Sequence, residues 1–90
     1  MLRKELTIVN KLGLHARPAA MFVKASSAHD AEITVEKDDE QVNGKSIMGL
    51  MMLAAGCGAR IIVITEGKDE EAAMASIEAL VNGGFTEGAK

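Results

Sequence analysis

Strand-like and helix-like patterns take turns along this chain, and quickly: seven segments share 90 residues. Glu5 to Val9 sets Leu6 and Ile8 against Glu5 and Thr7, the period-two pattern of a half-buried strand. From Ala16 to about Ala28 the apolar residues Ala19, Phe22 and Val23 recur at helical spacing, with Pro18 in the first turn, where its missing N–H costs nothing. Glu32 to Glu36 alternates again, and a polar turn leads to a short return strand over Gln41 to Asn43. Ser46 is a good N-cap for a helix from Ile47 to about Ala54. Arg60 to Thr65 is the strongest strand, but Ile61, Ile62, Val63 and Ile64 stand in a row and leave its buried face open. Asp69 suits the N-cap of a last helix whose apolar stripe is Ala73, Ile77, Leu80 and Val81, and Asn82-Gly83-Gly84 stops it.

The order is therefore βαββαβα. Four strands with three helices on one face make a two-layer, open-faced α/β (α+β) sandwich with a largely antiparallel sheet. So short a chain forms one domain. We expect that domain to span residues 1–82, followed by a flexible tail at 83–90. The core is aliphatic, because Phe22 and Phe85 are the only aromatic residues.

Charge and composition exclude several classes of function. A net charge of −3 argues against a general nucleic-acid binder. It leaves room for a local basic site, for which Lys11, Arg17, Lys24 and Lys45 are candidates. Cys57 is the single cysteine, so the chain reads as reduced, cytoplasmic and free of intrachain disulfides. No apolar run approaches the ~20 residues of a membrane helix, and no membrane insertion is expected.

The chemistry concentrates in Gly13-Leu14-His15-Ala16-Arg17-Pro18-Ala19. A histidine without these neighbours would read as an ordinary surface or cap residue. Here it stands where a helix begins, among backbone N–H groups that lack intrahelical partners and carry partial positive charge. Such a place suits a phosphate and favours the neutral, nucleophilic ring. Arg17 supplies two donors to phosphate oxygens and stays charged. Gly13 lets the preceding loop approach closely. The combination points to phosphoryl chemistry on His15 itself. The sequence offers no general base, metal site or cofactor motif beside it, so the partner proteins supply most of the catalysis.

Ser46 has an ordinary explanation as a helix cap. A phosphate on Ser46 would nonetheless be tolerated electrostatically at a helix start. The segment that follows is rich in methionine, and such surfaces adapt to several partners. We expect Ile47, Met48 and Met51 to include exposed contacts, since a two-turn helix cannot bury every face.

Other signals fail on inspection. In Gly44-Lys45-Ser46 the first P-loop glycine would fall at Asp39. Gly56-Cys57-Gly58 is followed by a strand rather than a helix, with Ile61 at the third glycine position of a dinucleotide fingerprint. His15, His29 and Cys57 lack metal-ligand spacing. His29 reads as an exposed loop residue and Cys57 as a small buried or turn residue.

The run from Gly13 to Ala19 closely resembles the phosphohistidine signature of the HPr phosphocarrier family of the bacterial phosphoenolpyruvate-dependent phosphotransferase system. Asn43-Gly44-Lys45-Ser46-Ile47-Met48-Gly49-Leu50 resembles that family's regulatory serine segment, at the family's separation. The resemblance implies that His15 accepts a phosphoryl group at Nδ1 from phosphorylated Enzyme I and passes it to an Enzyme IIA domain in sugar uptake. Arg17 matches the arginine that stabilises the phosphate. Ser46 matches the serine modified by an HPr kinase/phosphorylase, with a transcription regulator as a further partner. Ile47, Met48 and Met51 match partner-docking positions. The implied protein is a monomeric phosphoryl-transfer intermediate without cofactor, not an independent enzyme. Two other outputs compete with sugar uptake: a nitrogen-branch carrier with a regulatory end point, and a binding module controlled at Ser46.

Overall fold

A computed structural model describes residues 1–86. The elements follow in the expected order: β1 (Leu2–Thr7), α1 (Ala16–Ser27), β2 (Glu32–Lys37), β3 (Glu40–Asn43), α2 (Ile47–Met52), β4 (Arg60–Glu66) and α3 (Glu70–Asn82). A 3₁₀ turn over Gly84–Thr86 comes after them. The sheet is antiparallel throughout, with strand order β1-β4-β2-β3. The three helices cover one face and leave the other open.

The register settles which face of β4 is buried. Ile61 lies opposite Leu6, and Val63 opposite Val35. These four, with Ile33, are buried under the helices. Ile62 and Ile64 point to the open face and are half-buried there. Glu5 and Glu36 flank Ile62, and Arg3 and Thr34 flank Ile64. Polar side chains thus flank the two half-buried isoleucines on neighbouring strands, which is how an apolar run without alternation can occupy a one-sided sheet.

Phe22 and Ala19 of α1, Leu50 of α2, and Ala73, Met74, Ile77 and Val81 of α3 complete the core. Met74 belongs to the buried stripe of α3, whereas Leu80, expected there, is only partly buried.

The structure alters further expectations. Phe85 is fully buried rather than part of a loose tail. The Gly83–Gly84 break reverses the chain, and Phe85 takes φ +55° to turn its ring inward. Packing therefore continues past residue 82, through Gly84 and Phe85, while Thr86 is exposed; the rest of the expected tail, 87–90, lies outside the described residues. The second difference concerns α2, which stops at Met52 instead of Ala54, because Ala54 has φ +51° and cannot continue the helix.

The third difference concerns Asp69, which occupies the N-cap position of α3 without a side-chain cap bond. Its carboxylate reaches instead across to the α1–β2 loop. There it accepts the N–H of Asp30 at 3.0 Å and of Ala31 at 2.8 Å, and meets His29 Nδ1 at 3.2 Å. Desolvation opposes the charge of Asp69, but the two N–H donors and His29 outweigh it and hold the carboxyl below its usual range. His29 is accordingly not an exposed loop residue: its side chain is 16% accessible and bridges Asp69 and Ser76.

Candidate functional site

Residues 13–18 form the start of α1, and backbone contacts fix the approach to it. Gly13 adopts φ +71°, and a Cβ added there would lie 2.4 Å from the Ala55 carbonyl oxygen. No side chain fits that approach, so glycine is required. The close contact is with the Ala55–Gly56 backbone, not with the histidine ring. Leu14 N–H donates to Ala55 O at 2.8 Å, and the buried Asn10 amide donates to Gly13 O at 2.7 Å. Leu14 itself is buried. The loop thus delivers His15 from two pinned residues.

His15 is the N-cap of α1, with extended backbone and no side-chain cap bond. Its carbonyl accepts the Ala19 N–H at 2.9 Å, the first turn of the helix. The ring is consequently not used as a cap. Its Nε2 atom is buried, while the residue as a whole is half-buried.

Of the three first-turn positions after His15, Pro18 has no N–H. Two amides remain, at Ala16 and Arg17, without intrahelical acceptors. No acidic residue occupies this turn. Arg17 is exposed and has no ion-pair partner among the described residues. An anion bonded to the His15 ring would meet two amides, the positive end of a 12-residue helix and an exposed guanidinium.

Of the four basic residues expected to form a local site, Lys11 is exposed in the loop before α1. Arg17 and Lys24 are both exposed on α1. Lys45 is drawn elsewhere, donating from Nζ to the His29 carbonyl at 2.9 Å.

Ser46 caps α2 as expected: its Oγ accepts the Gly49 N–H at 3.0 Å. With six residues, α2 is short and its end carries little dipole. Leu50 and Leu53 anchor it in the core, while Ile47 and Met51 are 41% and 43% accessible and Met48 is 75% accessible. Sequence reasoning missed two residues of the same character, Leu12 at 72% and Met52 at 69%. Met52 was legible, since it lies four residues after Met48 on one helix face. Leu12 carried only the signal of an apolar residue in a polar loop. Cys57 is an exposed turn residue.

The sequence profile of the family described as "PTS HPr component phosphorylation site" matches residues 2–83. The chain belongs to the HPr family of the phosphotransferase system. A phosphocarrier protein HPr of Neisseria meningitidis is 51% identical over 98% of this chain and 99% of its own. The crystal structure of HPr from Thermoanaerobacter tengcongensis superposes with a TM-score of 0.94 at 44% identity, covering 98% of this chain and 99% of the other. A Bacillus subtilis relative, the catabolite-repression protein Crh, is 39% identical with a TM-score of 0.75, covering 93% and 97% of the two chains. That protein is described as a dimer with a swapped domain. The HPr fold thus accounts for the βαββαβα order, and the chain is a phosphocarrier of that family. Among the described residues no helix is long and apolar enough to cross a membrane.

Proposed function

We propose that this phosphocarrier takes its phosphoryl group on His15 Nδ1 from phosphorylated Enzyme I, charged by phosphoenolpyruvate. It then gives that group to an Enzyme IIA domain in sugar uptake. The observation that carries this reading is the start of α1: a half-buried histidine at the N-cap, followed by two amides without intrahelical acceptors and an arginine that is exposed and has no ion-pair partner among the described residues. In the first transfer the bond from phosphorus to its Enzyme I carrier breaks as the Nδ1–P bond forms. A neutral imidazole needs no general base to attack. The developing charge on the three equatorial oxygens is met by Ala16 N–H, Arg17 N–H and the Arg17 guanidinium.

A carrier must also release its load. The anion site has one flexible cation and no metal cluster among the described residues, which suits weak holding. The exposed apolar residues Leu12, Ile47, Met48, Met51 and Met52 supply the docking patch in this reading, and methionine flexibility lets the same residues serve donor and acceptor. Ser46 is the regulatory site, a substrate of an HPr kinase/phosphorylase. Its phosphate would set two negative charges beside the patch and weaken Enzyme I docking, and the likeness to Crh supports an added catabolite-regulation role with a transcription regulator. The working form is a cytoplasmic monomer.

The test is incubation with Enzyme I and phosphoenolpyruvate. An acid-labile, base-stable modification should appear and should be absent from His15→Ala. Uptake of the label by that variant would sink the proposal. Size-exclusion chromatography should return a single monomeric species.

A further inference from the structure

Ser76, in the middle of α3, Asp69, at its start, and His29, just past the end of α1, form a second chemical constellation, apart from the His15 end of α1. Asp69 Oδ2 lies 3.2 Å from His29 Nδ1, and His29 Nε2 lies 3.3 Å from Ser76 Oγ. A carboxylate only accepts, so the Nδ1 nitrogen carries the ring proton and donates to Asp69. That leaves Nε2 as the acceptor for the Ser76 hydroxyl. Asp69 is itself held by the N–H groups of Asp30 and Ala31. The Lys45 ammonium fixes the His29 carbonyl from the other side. These contacts fix the orientation of the ring and select one tautomer of its neutral form, while Ser76 stands exposed.

The hydroxyl opens on a groove of about 610 Å³ between α1 and α3. Met21, Ala25 and Leu80 give it an apolar wall, and Lys24 is the charged member of its lining. We infer that Ser76 is a nucleophilic serine, activated by His29 and oriented through Asp69, that is acylated by small apolar esters seated in this groove. Ser76 Oγ bonds to the ester carbonyl carbon and the ester C–O bond breaks. The serine proton moves to His29 Nε2 and departs with the leaving alcohol. Lys24 faces the charge that develops on the carbonyl oxygen. The product is an acyl-serine on α3, which leaves His15 untouched.

The probe is p-nitrophenyl butyrate, applied to the full chain, with peptide mass spectrometry locating the butyryl group. The chain has four serines, at 26, 27, 46 and 76, which serve as internal controls. The adduct should form on Ser76 and vanish in Ser76→Ala, a variant that should accept phosphate at the parent rate. Replacing His29 with Ala should slow Ser76 labelling by about 10²-fold, the usual contribution of a positioned base, while circular dichroism shows a folded protein. Absence of the Ser76 adduct, equal labelling of Ser27, or unchanged labelling in folded His29→Ala would each overturn the inference and leave the three residues as a staple between α3 and the α1–β2 loop.

Discussion

Gly13→Ala tests how the loop before His15 is held. The glycine has φ +71°, and the new Cβ would fall 2.4 Å from Ala55 O and 2.7 Å from Gly56 Cα. Left-handed backbone costs an L-residue about 1–2 kcal/mol. The clash is with backbone atoms, so the turn at residues 54–58 must move. That movement weakens the Leu14 N–H to Ala55 O bond of 2.8 Å, worth about 1 kcal/mol net. The two effects together come to about 2–3 kcal/mol. In a domain of this size that lowers Tm by about 10–20 °C, measured by thermal or urea unfolding followed by circular dichroism. His15 follows Leu14 directly, so the same movement displaces the ring from the helix start. Misplacement by about 1 Å costs on the order of 10²-fold in rate, and phosphorylation by Enzyme I should slow accordingly. A variant within about 0.5 kcal/mol of the parent, phosphorylated at the parent rate, would refute the argument that the loop is pinned through glycine.

Other perturbations separate packing from charge. Phe85→Ala should cost about 3–5 kcal/mol in urea unfolding, the usual loss for a buried phenylalanine; a surface-like change would mean that the 3₁₀ turn does not carry the core. Asp69 contributes to pH dependence with a definite sign. Its folded carboxyl lies below the ordinary aspartate range, so its stabilisation is fully present above that range and is lost as pH falls from there through the lowered folded value. Asp69→Asn should therefore flatten the acid limb of the stability curve, and an unchanged acid limb would remove Asp69 from the account. Arg17→Met should leave folding within about 0.5 kcal/mol and slow phosphoryl transfer by about 10²-fold, and Arg17→Lys should recover only part of it, because a point charge lacks the paired donors.

What was legible in the sequence was local. Ser46 and Gly49 are three residues apart, and a cap of that span is written in the residues themselves. His15, Arg17 and Pro18 share one helical turn, so their juxtaposition followed from the helix start alone. Asp69 was misread because the groups that claim its carboxylate, at 29–31, are near it only after β2, β3, α2 and β4 have folded. The buried face of β4 was undecidable for the same reason: Glu5 and Glu36, not any residue of β4, make Ile62 tolerable on the open side. Phe85 gave no periodic signal, being one apolar residue after two glycines. Leu12 was missed because exposed and buried apolar residues look alike until packing has chosen between them, whereas the spacing of Met52 from Met48 was a usable signal.

The central claim is that the start of α1 makes His15, at Nδ1, the phosphoryl acceptor. The chain offers one competing ring, His29, whose two nitrogens are engaged by Asp69 and Ser76. Histidine-selective ¹⁵N and ³¹P NMR of the protein, after incubation with Enzyme I and phosphoenolpyruvate, reads the answer directly. One phosphoramidate on His15 Nδ1, with the His29 ring unshifted, is the predicted result. Phosphate on His29, or on Nε2 of His15, would contradict it.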